Sequence, residues 1–135
     1  MFVLDTNVIS ELRKPRPHGA VAQWFRACDP STIYLPAPCI GEIQAGIEKT
    51  RSTDPAKATE IESWLDDVLR MLQILDMTGD AFRTWARFMH RKPAHLAIDA
   101  MIAASAATRR FVIVTRNVGD FEPFGVSTLN PFETG

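Results

Sequence analysis

The chain has 135 residues, which is enough for one domain with a single sizeable hydrophobic core. Its composition, 46% hydrophobic and 23% charged, is ordinary for a globular protein, and a net charge of -1 excludes attraction of nucleic acid by overall charge. Any polyanion would have to be held by a local basic patch or by metal ions.

Cysteine usage and the start of the chain both favour a reduced, cytoplasmic protein. The two cysteines, Cys28 and Cys39, lack metal-ligand spacing and are interpreted as small hydrophobic residues. Because the first apolar run follows Met1 directly, we expect no signal or transit peptide. The longest weakly polar stretch, residues 97–107, is too short to span a bilayer and carries Asp99, so no membrane association is expected.

Apolar periodicity and turn residues divide the chain into alternating strands and helices. Strands are predicted at residues 2–4, 32–35, 73–75, 111–115 and 126–129. Helices are predicted at residues 7–12, 19–27, 38–49, 55–71, 78–90 and 95–108. This alternation predicts a parallel α/β fold in one domain, residues 1–135. The helices between residues 37 and 72 form a hairpin that is unusually large for a simple alternating fold.

The first strand places an acid at the edge of the predicted sheet. Residues 2–4 are an apolar run that fits a buried strand, and it ends on Asp5, Thr6 and Asn7 before a helix begins. In open α/β sheets, ligands bind at the carboxyl ends of the strands. Asp5 is therefore the first candidate for chemistry.

Asp99 stands out among the later acids because its surroundings are apolar. Its helical neighbours at i+3, i+4 and i+7 are Ile102, Ala103 and Ala106, so its carboxylate is expected to project into packed apolar surface. Buried carboxylates are rare unless they are paired or bind a cation. A helix N-cap fits less well, because the two residues before Asp99 already continue a helical pattern.

Glu42 is a second candidate acid, because small residues share its face of the predicted helix. It shares that face with Pro38, Ala45 and Gly46, small residues that would let another backbone approach closely. This would place a carboxylate near the start of a closely packed helix. Periodicity alone fits a solvated glutamate equally well.

Two more oxygen donors, Asn117 and Asp120, follow the strand at residues 111–115 and so share a sheet edge with Asp5. Both types are also favoured in turns. Acids after an early strand, in an apolar helix and after a late strand together predict a convergent oxygen-rich pocket. All-oxygen ligation suits Mg²⁺ or Mn²⁺ rather than Zn²⁺.

These residues, taken in order, resemble the PIN domain. The resemblance rests on Val-Leu-Asp-Thr-Asn at residues 3–7, Glu42, Asp99 opening an alanine-rich helix, and Thr-Arg-Asn-x-x-Asp-Phe at residues 115–121. It covers the whole chain and is closest to the VapC-like toxins of bacterial type II toxin–antitoxin pairs, including the FitB-like branch. It implies a three-layer α/β/α sandwich with a central parallel sheet and a helical hairpin insertion. It further implies a Mg²⁺- or Mn²⁺-dependent endoribonuclease toxin, restrained by a small VapB-like antitoxin and forming a homodimer.

The resemblance also assigns site residues by position. Asp5, Glu42 and Asp99 match the three metal-site acids, and many family members have Asp where this chain has Asn117. It is therefore open whether Asn117 or Asp120 fills the fourth ligand position, and whether one ion or two bind. Two-metal hydrolysis would leave a 5′-phosphate and a 3′-hydroxyl. The supporting polar positions are matched by Thr6, Asn7, Thr115 and Asn117.

Several arginines could guide an RNA backbone toward the acids. Arg83, Arg87 and Arg91 are spaced i, i+4 and i+8, which predicts a basic stripe along the helix at residues 78–90. A solvated helix face has the same appearance. Arg116, directly after Thr115, is a further candidate for RNA contact.

Three other classes of protein share parts of this pattern. A haloacid dehalogenase-type phosphatase needs a second Asp two residues after the first, where this chain has Asn7. A Mg²⁺-binding receiver-type signalling domain needs an acid pair after the first strand and a Lys after a late strand, where Arg116 stands. A catalytically weak PIN-like module that binds RNA or a partner remains open, because Asn117 is not an acid.

Overall fold

In the described part of the chain, five short strands form one sheet: β1 (Phe2–Leu4), β2 (Ile33–Pro36), β3 (Gln73–Leu75), β4 (Val112–Val114) and β5 (Thr128–Leu129). The computed structural model in which they are seen describes residues 1–133. All neighbouring strands are parallel, in the order β3-β2-β1-β4-β5, which confirms the predicted parallel sheet. β1 lies at the centre, and the strand order reverses there. Its carboxyl end is therefore the place where an open α/β sheet forms a crevice.

Over the same 133 residues, six α-helices flank the sheet in an α/β/α sandwich: α1 (Thr6–Arg13), α2 (Gly19–Ala27), α3 (Ala37–Arg51), α4 (Pro55–Met71), α5 (Gly79–Met89) and α6 (Ala97–Ala107). The bounds of α2, α4 and β3 are those predicted. For α4 the reason is local: Asp54 accepts a hydrogen bond from the backbone N–H of Lys57, and Pro55 occupies the first helical position.

Two predicted segments take a different form. The helix expected to begin near residue 95 is preceded by a 3₁₀ turn, Ala94–Leu96, and α6 proper begins at Ala97. The turn expected at residues 117–120 is the start of a 3₁₀ helix, Val118–Phe124, which ends at Gly125 with φ +64°. Glycine adopts this left-handed conformation without a steric penalty, so it ends the segment cleanly.

The predicted helical hairpin is formed by α3 and α4. Ile43 and Ile47 of α3 are buried, as are Leu65 and Val68 of α4. Burying each such side chain contributes roughly 1.5–3 kcal/mol. The hairpin is thus part of the same hydrophobic core as the sheet, and it holds α3 firmly beside the end of β1.

The centre of the core lies where β1 and β4 meet α6. Val3, Leu4, Ile113 and Val114 are fully buried, and α6 presents small buried alanines together with Ile102. The N–H of Asp5 continues the β1–β4 pairing by donating to the carbonyl oxygen of Val114 at 2.9 Å. The backbone at the end of β1 is therefore held by the buried core of the sheet.

Both cysteines are free thiols. Cys39 is buried beneath the end of β1, where its Sγ lies 3.7 Å from the carbonyl oxygen of Leu4, and burial raises its pKa to about 12. It behaves as the small hydrophobic residue that was expected. Among residues 1–133, no helix combines the length and apolarity needed to cross a membrane.

Candidate active site

Asp5 lies at the carboxyl end of β1, and three hydrogen bonds fix its carboxylate. Oδ1 accepts from the backbone N–H of Thr6 at 2.8 Å. Oδ2 accepts from the hydroxyl of Thr115 at 2.9 Å and from the side-chain amide of Asn7 at 3.1 Å. With 7% of its surface exposed, Asp5 is the most enclosed of the predicted site acids.

Asn7 ties the end of β1 to the end of β4. Its amide nitrogen also donates to Oγ1 of Thr115 at 3.3 Å, and its Oδ1 accepts from the N–H of Arg116 at 3.2 Å. Oγ1 of Thr115 accepts in turn from the N–H of Asn117 at 3.0 Å. The structure therefore groups Asn7 and Thr115 around Asp5, whereas Asn117 contributes its backbone and has an exposed side chain.

Glu42 approaches the same region from α3. Its Oε1 accepts a hydrogen bond from the hydroxyl of Thr6 at 2.8 Å. The expectation of close packing on this face of α3 is wrong: Glu42, Ala45 and Gly46 are all exposed, and a Cβ placed on Gly46 would have no neighbour within 4 Å. Small residues here leave an open groove because no second backbone crosses them.

Asp99 and Asp120 complete the group from α6 and from the 3₁₀ helix after β4. Asp99 is the third residue of α6, which excludes the N-cap interpretation, and the helix dipole favours a carboxylate there. It is half-buried, less enclosed than its apolar neighbours led us to expect. Asp120 is exposed.

Burial and neighbouring charges both raise the pKa of Asp5. Burial is the largest cause, and the negative charges of Glu42 and Asp120 add to it. The hydrogen bonds from Thr115 and Thr6 act in the opposite direction but do not cancel the rise. The fold therefore holds the carboxylate of Asp5 in a place where its charged form is disfavoured.

The same causes act more strongly on Asp99. Burial, with help from three neighbouring carboxylates, raises its pKa to about 6, and His95 opposes the rise. In decreasing order of effect, those carboxylates are Asp5, Asp120 and Glu42. Carboxylates from three other parts of the chain thus act on Asp99 through their charges.

Within residues 1–133, none of these four carboxylates forms an ion pair with a protein cation. Concentrated negative charge of this kind is stabilised by a cation, and an all-oxygen donor set suits Mg²⁺ or Mn²⁺. The donor chemistry therefore fits a hard divalent ion. In the same part of the chain, however, no group of three His, Cys, Asp or Glu side chains is arranged so that it could hold one.

The predicted arginine stripe is interrupted. Arg83 and Arg87 are exposed on α5, but the helix ends at Met89 and Arg91 adopts a left-handed conformation with φ 61°. Arg91 therefore does not continue the face formed by the other two. Arg116 is exposed beside Thr115.

One acid that sequence reasoning passed over is buried close to this region. Glu11 has a side chain that is 8% exposed, and it accepts hydrogen bonds from Nζ of Lys14 at 3.1 Å and from the N–H of His18 at 3.3 Å. Burial raises the pKa of Glu11, but these bonds outweigh it and hold the pKa below its usual value. Its burial could have been predicted from its spacing on α1, because residues three apart share a helix face and Val8 is buried.

The chain is similar to a known protein family, in sequence and in fold. A family model described as PIN domain matches residues 2–122. The VapC ribonuclease Y4jK of Sinorhizobium fredii is 35% identical, covering 98% of this chain and 99% of its own. FitAcB from Neisseria gonorrhoeae, seen in a crystal structure, has a TM-score of 0.87 and 26% identity, covering 99% of this chain and 100% of that one. VapBC-5 from Mycobacterium tuberculosis, a member of the VapBC family of toxin-antitoxin systems, has a TM-score of 0.62 and 25% identity over 94% of each chain.

Proposed function

The chain belongs to the PIN-domain family, and we propose that it is a ribonuclease that acts as the toxin of a toxin–antitoxin pair. The observation that carries the proposal is the group of four interacting carboxylates that, within residues 1–133, has no protein cation to pair with. The name of the VapC ribonuclease from Sinorhizobium fredii supports the activity. Membership in the family removes the phosphatase and receiver-type alternatives.

Electrostatics explains why such a site would need a divalent ion. An RNA phosphodiester and a group of carboxylates repel each other, so the bond that is cut can reach the acids only if positive charge stands between them. We propose that Asp5, Asp99 and Glu42 hold Mg²⁺ or Mn²⁺, with Asp120 or Asn117 completing the set. When bound, such ions activate water and offset charge on the leaving oxygen.

The chain's own contribution is to keep the oxygen donors in place. Thr6, Asn7 and Thr115 hold the carboxylate of Asp5 in one orientation, and the hydroxyl of Thr6 does the same for Glu42. Because Asn7 also holds the backbone after β4, the ends of β1 and β4 cannot move independently. This preorganisation avoids the cost of orienting the ligands at the moment of reaction.

We also propose a small antitoxin as partner, supported by the membership of VapBC-5 in the VapBC family of toxin-antitoxin systems. A basic side chain from that partner would offset the charge of the acids. A cavity of about 270 Å³ runs from Thr6 and Glu42 to Trp64 and gives such a side chain room to enter. A homodimer and a cytoplasmic location remain part of the proposal. The helical aromatic residues Trp24, Phe25 and Trp64 are half-buried against the core.

The proposal is tested by the metal dependence of RNA cleavage. Purified protein should cut structured RNA in Mn²⁺ or Mg²⁺, stop in excess chelator and resume when Mn²⁺ is restored, because the acids alone repel the substrate. Cleavage is followed on denaturing gels, and a 5′-phosphate-dependent exonuclease identifies the product ends. Equal cleavage with and without chelator would contradict the metal-dependent mechanism.

A non-cutting PIN-like module is the second candidate. It is favoured by the neutral Asn117 and by the absence, within residues 1–133, of three acids arranged to hold an ion. RNA that is bound in Mn²⁺ but never cut would support this candidate and contradict the ribonuclease. The same gels, read beside a binding assay, separate the two.

Asp120→Asn is expected to lower metal-dependent cleavage by about tenfold or more, in the range seen when groups around a metal site are lost. The reason is that the charge of Asp120 acts on both Asp5 and Asp99. Glu122→Gln is the matched control, since Glu122 is exposed in the same 3₁₀ helix. If Asp120→Asn cuts RNA as fast as this control at every Mn²⁺ concentration, Asp120 is not a ligand.

A further inference from the structure

The guanidinium of Arg116 lies on the ring of Phe132. Its Cζ is 3.9 Å from the ring centroid, a distance at which a cation is attracted to an aromatic face. Phe132 is half-buried, and the ring of His18 packs against it with centroids 5.2 Å apart. The exposed guanidinium of Arg116 thus rests on the ring of Phe132, which is itself held by its contact with His18.

The backbone of Arg116 is held on both sides by side-chain amides. Its N–H donates to Oδ1 of Asn7 at 3.2 Å, and its carbonyl accepts from Nδ2 of Asn130 at 3.4 Å. Oδ1 of Asn130 accepts from the N–H of Phe132 at 2.9 Å. Because Asn7 also contacts Asp5, the position of Arg116 is linked directly to the acids.

The guanidinium of Arg116 has N–H donors that are available to a ligand. Within residues 1–133, no hydrogen bond or ion pair joins the side chain of Arg116 to a protein acceptor. Glu11 is near enough for the two charges to interact, but its oxygens accept from Lys14 and from the N–H of His18. A planar cation with unused donors is the group that binds phosphate with two parallel hydrogen bonds.

We propose that Arg116, stacked on Phe132, binds a phosphate of the RNA strand beside the bond that is cut. The inference rests on the proposed ribonuclease function and names a binding subsite of that same site. Arg116 directly follows Thr115, whose hydroxyl contacts Asp5, so its backbone lies next to the negatively charged region. Phe132 and Asn130 are positioning residues that act through Arg116.

Binding and cleavage are measured separately to test this subsite. A fluorescein-labelled single-stranded oligoribonucleotide is titrated with protein in chelator, and its anisotropy is recorded at several salt concentrations. Arg116→Ala should raise Kd about tenfold, the loss of one charge-assisted contact. It should also lower the slope of log K against log salt by about 0.7, the value for one phosphate of a single strand. In Mn²⁺ it should raise KM and leave kcat nearly unchanged.

Two conservative variants distinguish contact from structure. Arg116→Lys keeps the charge but loses the planar fork, so it should recover the salt slope without recovering the full affinity. Phe132→Leu keeps an apolar side chain and should raise KM by a smaller factor than Arg116→Ala. Arg70→Ala is the matched control, because Arg70 is an exposed arginine on α4 that pairs with exposed Asp67. It should bind and cut RNA as the unaltered protein does.

The results that would contradict the phosphate subsite differ from those that would contradict the ribonuclease function. The subsite is overturned if Arg116→Ala leaves both Kd and the salt slope unchanged, if Arg70→Ala matches its effect, or if Arg116→Ala weakens only the binding of a protein partner. It is also overturned if the unaltered protein binds no RNA. RNA that is bound through Arg116 but never cut in Mn²⁺ would support the subsite while contradicting the ribonuclease.

Discussion

Asp5→Asn is expected to reduce metal-dependent RNA cleavage by at least about a thousandfold, a loss of roughly 4 kcal/mol of transition-state stabilisation. Asp5 is the most buried of the four acids, and it lies where the strand order of the sheet reverses. A neutral amide there cannot offset the charge of a divalent ion. Host growth on expression should recover in parallel.

The Asp5→Asn protein should nevertheless fold. The amide oxygen can still accept from Thr6, whereas the new NH₂ group would replace the oxygen that accepts from Asn7 and Thr115, forfeiting bonds worth about 1 kcal/mol each. Removal of a carboxylate whose pKa is raised by burial acts in the opposite direction. Thermal melting checks the fold, and Asp67→Asn, at an exposed acid on α4, is the control. Full activity in folded Asp5→Asn would overturn the mechanism.

Asp99→Asn is expected to leave the metal-free protein at least as stable as the unaltered one and to remove most of its stabilisation by metal. Asp99 has a pKa raised from 3.8 to about 6, so the folded state holds a proton that the unfolded chain releases. The stabilisation of the folded state by this bound proton is complete below about pH 4, and it is lost as the pH rises to about 6. Asp99→Asn should remove this loss of stability with rising pH.

Metal should separate the two proteins most clearly above pH 6. At a hundredfold excess over its dissociation constant, a bound ion adds about 2.7 kcal/mol, which raises Tm by roughly 10 °C in a protein of this size. The unaltered protein should show this rise in Mn²⁺, and Asp99→Asn should show little of it. Melting curves at pH 5 and pH 7.5, in chelator and in Mn²⁺, provide the comparison. If Asp99→Asn melts well below the unaltered protein in chelator, Asp99 is a structural residue.

Local patterns were enough to predict the parts of the fold that depend on local causes. The bounds of α2, α4 and β3 follow from breaks and caps next to them in sequence, and Asp5 was identifiable because a short buried strand must end at a sheet edge. Asp99 was identifiable because few side chains in α6 are polar. Each inference needed only neighbouring residues.

The features that were missed depend on contacts between distant segments. The small residues on α3 indicated close packing, but whether a backbone crosses Ala45 and Gly46 is decided elsewhere in the fold. Glu11 is buried because the loop before α2 folds back onto it. The stacking of Arg116 on Phe132 joins residues that no periodicity connects.

The position of β1 at the centre of the sheet has a consequence for the order of events during translation. β1 is made first, yet the hydrogen bond between Asp5 and Thr115 spans 110 residues, and Thr115 itself pairs with Leu129. At about 5–20 residues per second, the nascent chain carries Asp5 for several seconds before its partners emerge. Long-range parallel pairing is also slow to form. A chain that cuts RNA would therefore stay harmless to the ribosome that makes it until the last strand is free to pair.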